Sequence, residues 1–222
     1  MDHLNEEALQ ALQDGNVEEA AEKLNEAIET SPNDPLGYTN FGNLLAGMGE
    51  LDRAIKFYER AIYLDEAQAT AHYGLGTVYY DQEDFHSALQ KFERAQEIGL
   101  ADSNLYYMLG MTHFSLGNLQ KALAPLYTAI EASPEDTEAR FYYGLVLAQL
   151  ERVEEAVPHL EQVIEEEPDH ADAHFNLGVA HAYQEEGEAA LAAFEKALEI
   201  QPEHALAANG KKQMETWLGR EE

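Results

Sequence analysis

The chain has 222 residues, 45% of them apolar, and its 43 acidic side chains against 13 lysines and arginines give a formal net charge of −30. Because nucleic-acid binding depends on cations that neutralise phosphates, this charge argues against DNA or RNA as a direct ligand. The chain has no cysteine, which excludes disulfides, thiol nucleophiles and cysteine zinc sites.

A unit of 34 residues occurs six times in succession from the first residue onward, without insertion or deletion. In each unit the apolar residues follow one helical period, then a polar turn, then a second helical period, which predicts a pair of amphipathic helices. An isolated pair cannot bury its apolar faces, whereas stacked pairs can. We therefore expect six tandem units, at residues 1–34, 35–68, 69–102, 103–136, 137–170 and 171–204, with a capping helix and short tail at 205–222.

Small and large side chains alternate at fixed places, numbered from the first residue of each unit. The eighth place is glycine in units two to six, and the twentieth is alanine in all six. Glycine in a helix costs about 1 kcal/mol relative to alanine, so its recurrence predicts a close approach between helices. Bulky apolar side chains occupy the twenty-fourth place and would fill the space between these small residues. They are Leu24, Tyr58, Phe92, Leu126, Leu160 and Phe194.

The last unit and the tail depart from the pattern. Gly187 stands at the seventeenth place, where the other five units carry an apolar side chain. We therefore expect a looser final turn. In the tail, Leu206, Met214, Trp217 and Leu218 can share one helical face. This predicts a closing helix whose apolar face covers the end of the array.

The combination of these features resembles the tetratricopeptide repeat (TPR) family. In the sixth unit the resemblance rests on Leu177, Gly178, Ala190, Phe194 and the closing Pro202. It implies an all-α, right-handed superhelical solenoid of six helix-turn-helix units plus a C-terminal capping helix. It also implies a concave groove lined by the first helices, with the second, fifth, sixth, ninth, twelfth and thirteenth places pointing inward. The implied function is a non-catalytic adaptor or scaffold for protein–protein interaction.

The groove places that the resemblance implies are rich in aromatic residues. The fifth place is aromatic in four consecutive units, and these rings are surplus to a core already supplied by the seventh, eighth and eleventh places. Aromatic anchors on an exposed apolar patch favour the binding of a polypeptide. The predicted groove residues are Asn40, Asn43, Tyr73, Thr77, Tyr80, Asp81, Asn104, Tyr107, Met108, Met111, Phe114, Glu138, Phe141, Tyr142, Leu145, Asp172, Phe175, Asn176, Val179 and Tyr183.

The charges at the groove places indicate the chemistry of the partner. Acidic side chains occur at these places, and no lysine or arginine does. Thr39 and Thr70 stand where chaperone-binding TPR domains use cations to hold a peptide carboxylate, which excludes that clamp. We expect an extended or helical partner segment with apolar and basic side chains. The residues expected to hydrogen-bond its backbone are Asn40, Asn43, Thr77, Asn104 and Asn176.

Two alternatives remain open. The rings could pack between adjacent first helices, or a second copy could cover them, which would make the chain a self-associating structural protein that uses its groove or its capping helix. A monomer and a weak homo-oligomer are both compatible with the sequence. The acidity could attract a basic partner, or it could serve solubility and adaptation to salt.

Catalytic and metal-binding motifs are not predicted. His170 and His174 have the i, i+4 spacing of a helical metal pair, but histidines at the fourth and eleventh places stand where TPR units pack aromatic rings. Gly74 and Gly76 form a G-x-G with no preceding strand, so no nucleotide loop is expected. No run approaches the roughly 18 apolar residues of a membrane span, and the start has no signal-peptide pattern. We expect a soluble, cytoplasmic protein without enzymatic activity, metal or cofactor.

Overall fold

The structure is a computed structural model that describes residues 2–220. Met1, at the start of the predicted first unit, lies outside the described residues. Glu221 and Glu222, at the end of the predicted tail, also lie outside them. The described range contains thirteen α-helices and no strand, so the predicted all-α class is confirmed. The helices are α1 Asp2–Gln13, α2 Val17–Thr30, α3 Pro35–Gly47, α4 Leu51–Leu64, α5 Ala69–Asp81, α6 Phe85–Ile98, α7 Ser103–Ser115, α8 Leu119–Ala132, α9 Thr137–Gln149, α10 Val153–Glu166, α11 Ala171–Tyr183, α12 Gly187–Ile200 and α13 Ala205–Trp217.

The chain divides into two compact units, Met1–Thr112 and His113–Glu222, and the boundary falls within α7. In both units, first helices of the repeat alternate with second helices, and short turns join them. Each unit has hydrophobic cores of its own, built where a first helix packs on a second helix. Among the described helices, none has the length and apolarity needed to span a bilayer.

The recurring glycines give space to the aromatic ring at the twenty-fourth place. In the first unit the Tyr58 ring lies between Gly42 of α3 and Gly74 of α5, where an added Cβ would stand 2.8 and 2.6 Å from ring atoms. In the second unit Phe194 lies between Gly178 of α11 and Gly210 of α13, with corresponding distances of 2.7 and 2.8 Å. The helices therefore approach each other through a ring held between two glycine backbones, which offsets the low helix propensity of glycine.

The turns within the repeats place their fifteenth residue in the left-handed region. Glycine occupies this place in three repeats, with φ between 72° and 78°, and glutamate occupies it in three others. Glu83, Glu151 and Glu185 have φ of 60°, 60° and 62°. A non-glycine side chain costs roughly 1 kcal/mol in this conformation because Cβ crowds the backbone.

Relief of this strain should stabilise the protein. We expect Glu83→Gly and Glu151→Gly each to raise the free energy of unfolding by up to about 1 kcal/mol, since the gain in the folded turn exceeds the entropy that glycine adds to the unfolded chain. Urea denaturation measures the change. The matched control is Glu93→Gly on the exposed face of α6, which should destabilise by about 1 kcal/mol. Destabilisation of the turn variants to the same extent would contradict the strain argument.

The closing helix differs from the prediction in two respects. Gly187 does not loosen the last turn; it is buried at the start of α12, and the Trp217 ring of α13 occupies the space that a side chain there would need. Met214 and Leu218 are partly buried as expected, but Leu206 and Trp217 remain 62% and 59% exposed. The prediction that one apolar face of the closing helix covers the array is therefore wrong for Leu206, which faces solvent. Trp217 contacts the array through one edge of its ring.

Candidate functional site

All twenty predicted groove residues lie on first helices, and they fall into two sets. The residues from Asn40 to Met111 belong to the first unit, on α3, α5 and α7. Those from Phe114 to Tyr183 belong to the second unit, on α7, α9 and α11. Most are exposed or half-buried, whereas Phe141 and Met111 are buried, each with 7% of its surface exposed. Each unit therefore carries its own candidate surface, and the assignment of these residues to a ligand remains a prediction.

Three of the four aromatic rings at the fifth place, Tyr73, Phe141 and Phe175, are not surplus to the core, which corrects the sequence-based expectation. The Tyr73 ring lies 5.7 Å from that of Phe92, and the Phe175 ring lies 5.9 Å from that of Phe194. Phe141 is a full member of the core that Leu160 builds. The physical reason is that the fifth place faces the twenty-fourth place of the second helix. Burial, with a smaller contribution from Asp102, raises the pKa of Tyr73, so this phenol stays neutral.

In the second unit, aromatic rings and imidazoles meet in two runs, together here called the aromatic row. Phe114 of α7 and Tyr142 of α9 meet edge to face at 5.7 Å between centroids, and Tyr142 meets Phe141 at 5.3 Å. Phe141 continues to the imidazole of His170, at 4.6 Å. Phe175 of α11 meets the imidazole of His204 in the same manner, at 4.9 Å. Each run thus ends at the histidine that precedes the next helix, α11 or α13.

His170 and His204 cap the helices that follow them. The Nδ1 atoms of His170 and His204 accept hydrogen bonds from the backbone N–H groups of Ala173 and Ala207, at 3.1 and 3.2 Å. In other repeats an aspartate caps from the same place, as Asp136 does. Because Nδ1 accepts, Nε2 of His204 carries the proton and donates to the Asp172 carboxylate at 3.1 Å. Sequence reasoning missed these caps, although a capping residue at the thirty-fourth place of the repeats was a usable signal.

A second recurring contact joins four of the repeats to the repeat before them. Side chains at the fourth place donate to the backbone carbonyl at the thirty-second place of the preceding repeat. Tyr38 reaches Pro32 at 3.1 Å, His72 reaches Glu66 at 3.2 Å, His174 reaches Pro168 at 2.9 Å, and Arg140 reaches Pro134. Burial lowers the pKa of His72. The predicted packing role of His72 and His174 is confirmed, since both are buried.

The helical pair His170 and His174 does not form a metal site. The first ring caps α11 and the second binds the Pro168 carbonyl, so their ring nitrogens are directed to backbone groups. Within residues 2–220 no group of three or more histidine and acidic side chains is arranged to hold a metal ion.

Several polar groove residues already use their donors within the protein. The Asn40 amide donates to Asn5 Oδ1 at 2.9 Å, and the Asn176 amide donates to the Asp172 carbonyl at 2.8 Å. The Thr77 hydroxyl donates to the Tyr73 carbonyl at 3.1 Å. The oxygens of these side chains can still accept hydrogen bonds. Together with the exposed carboxylates at groove places, they make the first-helix surfaces rich in acceptors.

Comparison with known proteins identifies the family. Tetratricopeptide repeat families match residues 42–83, 68–135 and 150–205. The solved structure of YrrB, described as a TPR protein with an unusual peptide-binding site, is 43% identical to the chain. The match covers 86% of this chain and 99% of YrrB, with a TM-score of 0.83. The chain belongs to the tetratricopeptide repeat family. No curated protein matches it.

More distant solved structures share the fold alone. MamA from Desulfovibrio magneticus RS-1 is 24% identical, with a TM-score of 0.65 over 75% of this chain and 94% of that chain. PilF from Pseudomonas aeruginosa is 16% identical, with a TM-score of 0.82 over 96% of both chains. In this TPR protein, the interrepeat hydrogen bonds and caps hold the first helices in register, so the side chains at groove places lie on well-defined surfaces.

Proposed function

We propose that this TPR protein is a non-catalytic adaptor or scaffold whose first-helix surfaces bind a polypeptide segment with apolar and basic side chains. The observation that carries the proposal is that the half-buried rings of the aromatic row, Phe114, Tyr142 and Phe175, lie on first helices whose groove places include no lysine or arginine. Its similarity to YrrB, a TPR protein with a peptide-binding site, supports the same class of ligand.

The distribution of charge supports a basic partner. Glu138 and Asp172 are exposed at groove places in the second unit, and Asp81 is exposed in the first. Among the described residues no lysine or arginine pairs with a carboxylate at a groove place; Arg94 pairs with Glu97 of its own helix at 3.0 Å, and Lys23 pairs with Glu7, which is not at a groove place. The negative electrostatic potential of the first-helix carboxylates is therefore not neutralised by these cations. This potential attracts cationic partners, and salt screens it.

Accessible apolar anchors lie on α11. Val179 and Tyr183 are one helical turn apart, and they are 43% and 61% exposed. Unlike Phe141, they contribute little to the core, so their removal tests binding without unfolding the protein. Large apolar side chains at the centre of an interface contribute most of the binding energy.

A fluorescence-anisotropy assay tests the proposal. The probe is a fluorescein-labelled peptide of alternating leucine and lysine, and its counterpart alternates leucine and glutamate. We expect binding of the leucine–lysine peptide only, with affinity that falls as salt is added. The double variant Val179→Ala, Tyr183→Ala should weaken binding by about tenfold, since two anchors are lost.

The matched control removes exposed aromatic rings from second helices, through Tyr63→Ala and Tyr127→Ala. We expect the affinity of this control to equal that of the original protein. Equal binding of the acidic peptide, or an equal loss in the control, would contradict the proposal.

The self-associating alternative is less well supported. A net charge of −30 makes two copies repel each other. The same charge favours association with a basic partner. A heterologous partner is therefore the proposal that the electrostatics favour.

A further inference from the structure

A small cavity lies where α11, α12 and α13 meet, here called the Trp217 notch. It has a volume of about 160 Å³ and is lined by Ala182, Glu185, Gly187, Met214 and Trp217. None of these residues belongs to the predicted groove set. Trp217 is the one tryptophan of the sequence and is 59% exposed. The notch therefore presents an aromatic side chain that the groove proposal does not use.

The absence of a side chain at Gly187 positions the indole ring. A Cβ at this residue would overlap the six-membered part of the Trp217 ring, so that edge lies directly against the start of α12. Met214, one turn earlier on α13, is half-buried beside it. One edge of the indole is thus fixed by backbone, and much of the remaining ring surface is open to solvent. A fixed aromatic face beside a thioether is a favourable surface for a flat or cationic group.

Glu185 supplies a carboxylate to the same notch. Its neighbours are already engaged: Glu186 contacts His181 at 2.7 Å, and Glu188 contacts Arg220 at 2.7 Å. Glu185 forms no ion pair with any residue in the part of the chain that the structure describes. Its backbone has φ of 62°, in a turn position where Gly15, Gly49 and Gly117 avoid the strain. Glu83 and Glu151 hold the same position in other repeats, and Glu185 is the one of the three that lines the Trp217 notch.

We propose that the Trp217 notch binds an arginine side chain of a partner polypeptide. The guanidinium would lie on the open indole surface as a cation–π contact, and its N–H groups would donate to the Glu185 carboxylate. Arginine fits better than lysine because its planar group stacks on the ring and presents two donors to one carboxylate. The negative charge of the chain attracts the same ligand. The notch contains none of the twenty predicted groove residues, although Ala182 stands at a groove place, and either site can fail without the other.

The lone tryptophan allows a direct titration. The probe is the blocked peptide acetyl-Gly-Arg-Gly-amide, added at low salt while Trp217 emission is recorded. We expect a saturable change in emission. The same peptide with citrulline, which replaces the charged guanidinium by a neutral urea of the same shape, should bind at least about tenfold more weakly. Equal affinity for citrulline, equal affinity for a lysine peptide, or a change that never saturates would overturn the proposal.

Two variants separate a binding role of Glu185 from a structural one. Glu185→Gly and Glu83→Gly remove the same residue type from the same left-handed turn position of different repeats, so both should resist urea better. Only Glu185→Gly should lower the affinity for the arginine peptide, by about fivefold or more, since it removes the charged acceptor. Retention of full affinity in Glu185→Gly, or an equal loss in Glu83→Gly, would overturn the proposal.

Discussion

Phe194→Ala should lower the free energy of unfolding of the second unit by about 4 kcal/mol. The Phe194 ring is 2% exposed and lies between Gly178 of α11 and Gly210 of α13. Loss of the ring removes its transfer energy and leaves a cavity. The cavity cannot close easily, because two of its walls are helix backbones without side chains that could move into the space.

Trp217 fluorescence during urea denaturation measures this effect, since the reporter lies in the same unit. The control is Tyr127→Ala, which removes an exposed ring from α8. It should change the free energy of unfolding by no more than about 0.5 kcal/mol. A loss below about 1 kcal/mol in Phe194→Ala would contradict the packing of the ring between two glycines.

Gly187→Val should detach the Trp217 ring from the start of α12 and cost up to about 2 kcal/mol. The valine side chain would occupy the space of the Trp217 ring, and backbone at the start of α12 cannot move away without breaking the helix. Valine at this place is compatible with the repeat itself, because Val153 occupies the same position of the preceding repeat. The expected damage is therefore specific to the contact with α13.

A red shift of Trp217 emission, toward that of a fully solvated indole, reports the detachment. Gly47→Ala is the matched control, since a Cβ there meets no other atom within 4 Å. It should leave the emission unchanged and stabilise by up to about 1 kcal/mol. Unchanged emission in Gly187→Val would show that α13 does not depend on this glycine.

The periodicity of the sequence was sufficient to predict the helix pairs and the partnership of glycine with the bulky twenty-fourth place. It was not sufficient to predict how deeply the fifth place is buried. That place lies at the border between the groove side and the interface within a helix pair. Phe141 at this place is a core residue with 7% of its surface exposed, whereas Tyr73 and Phe175 at the same place are half-buried.

Contacts between residues that are distant in the sequence could not be predicted from the sequence either. Gly187 was interpreted as a weakness because its partner, Trp217, comes thirty residues later. The bonds from His72 and His174 to carbonyls of preceding repeats required the stacking of repeats before they could be recognised. The caps of His170 and His204 were local, and could have been predicted from their place before a helix.

Site-specific photocrosslinking tests most directly the central claim that a first-helix surface binds a basic, apolar polypeptide. Benzoylphenylalanine would replace Tyr183 on the candidate surface in one variant and Tyr63 on a second helix in another. Both native side chains are exposed, at 61% and 77%. The account predicts that the leucine–lysine peptide crosslinks at position 183 and not at position 63. Crosslinking at position 63 alone, or equally at both, would contradict it.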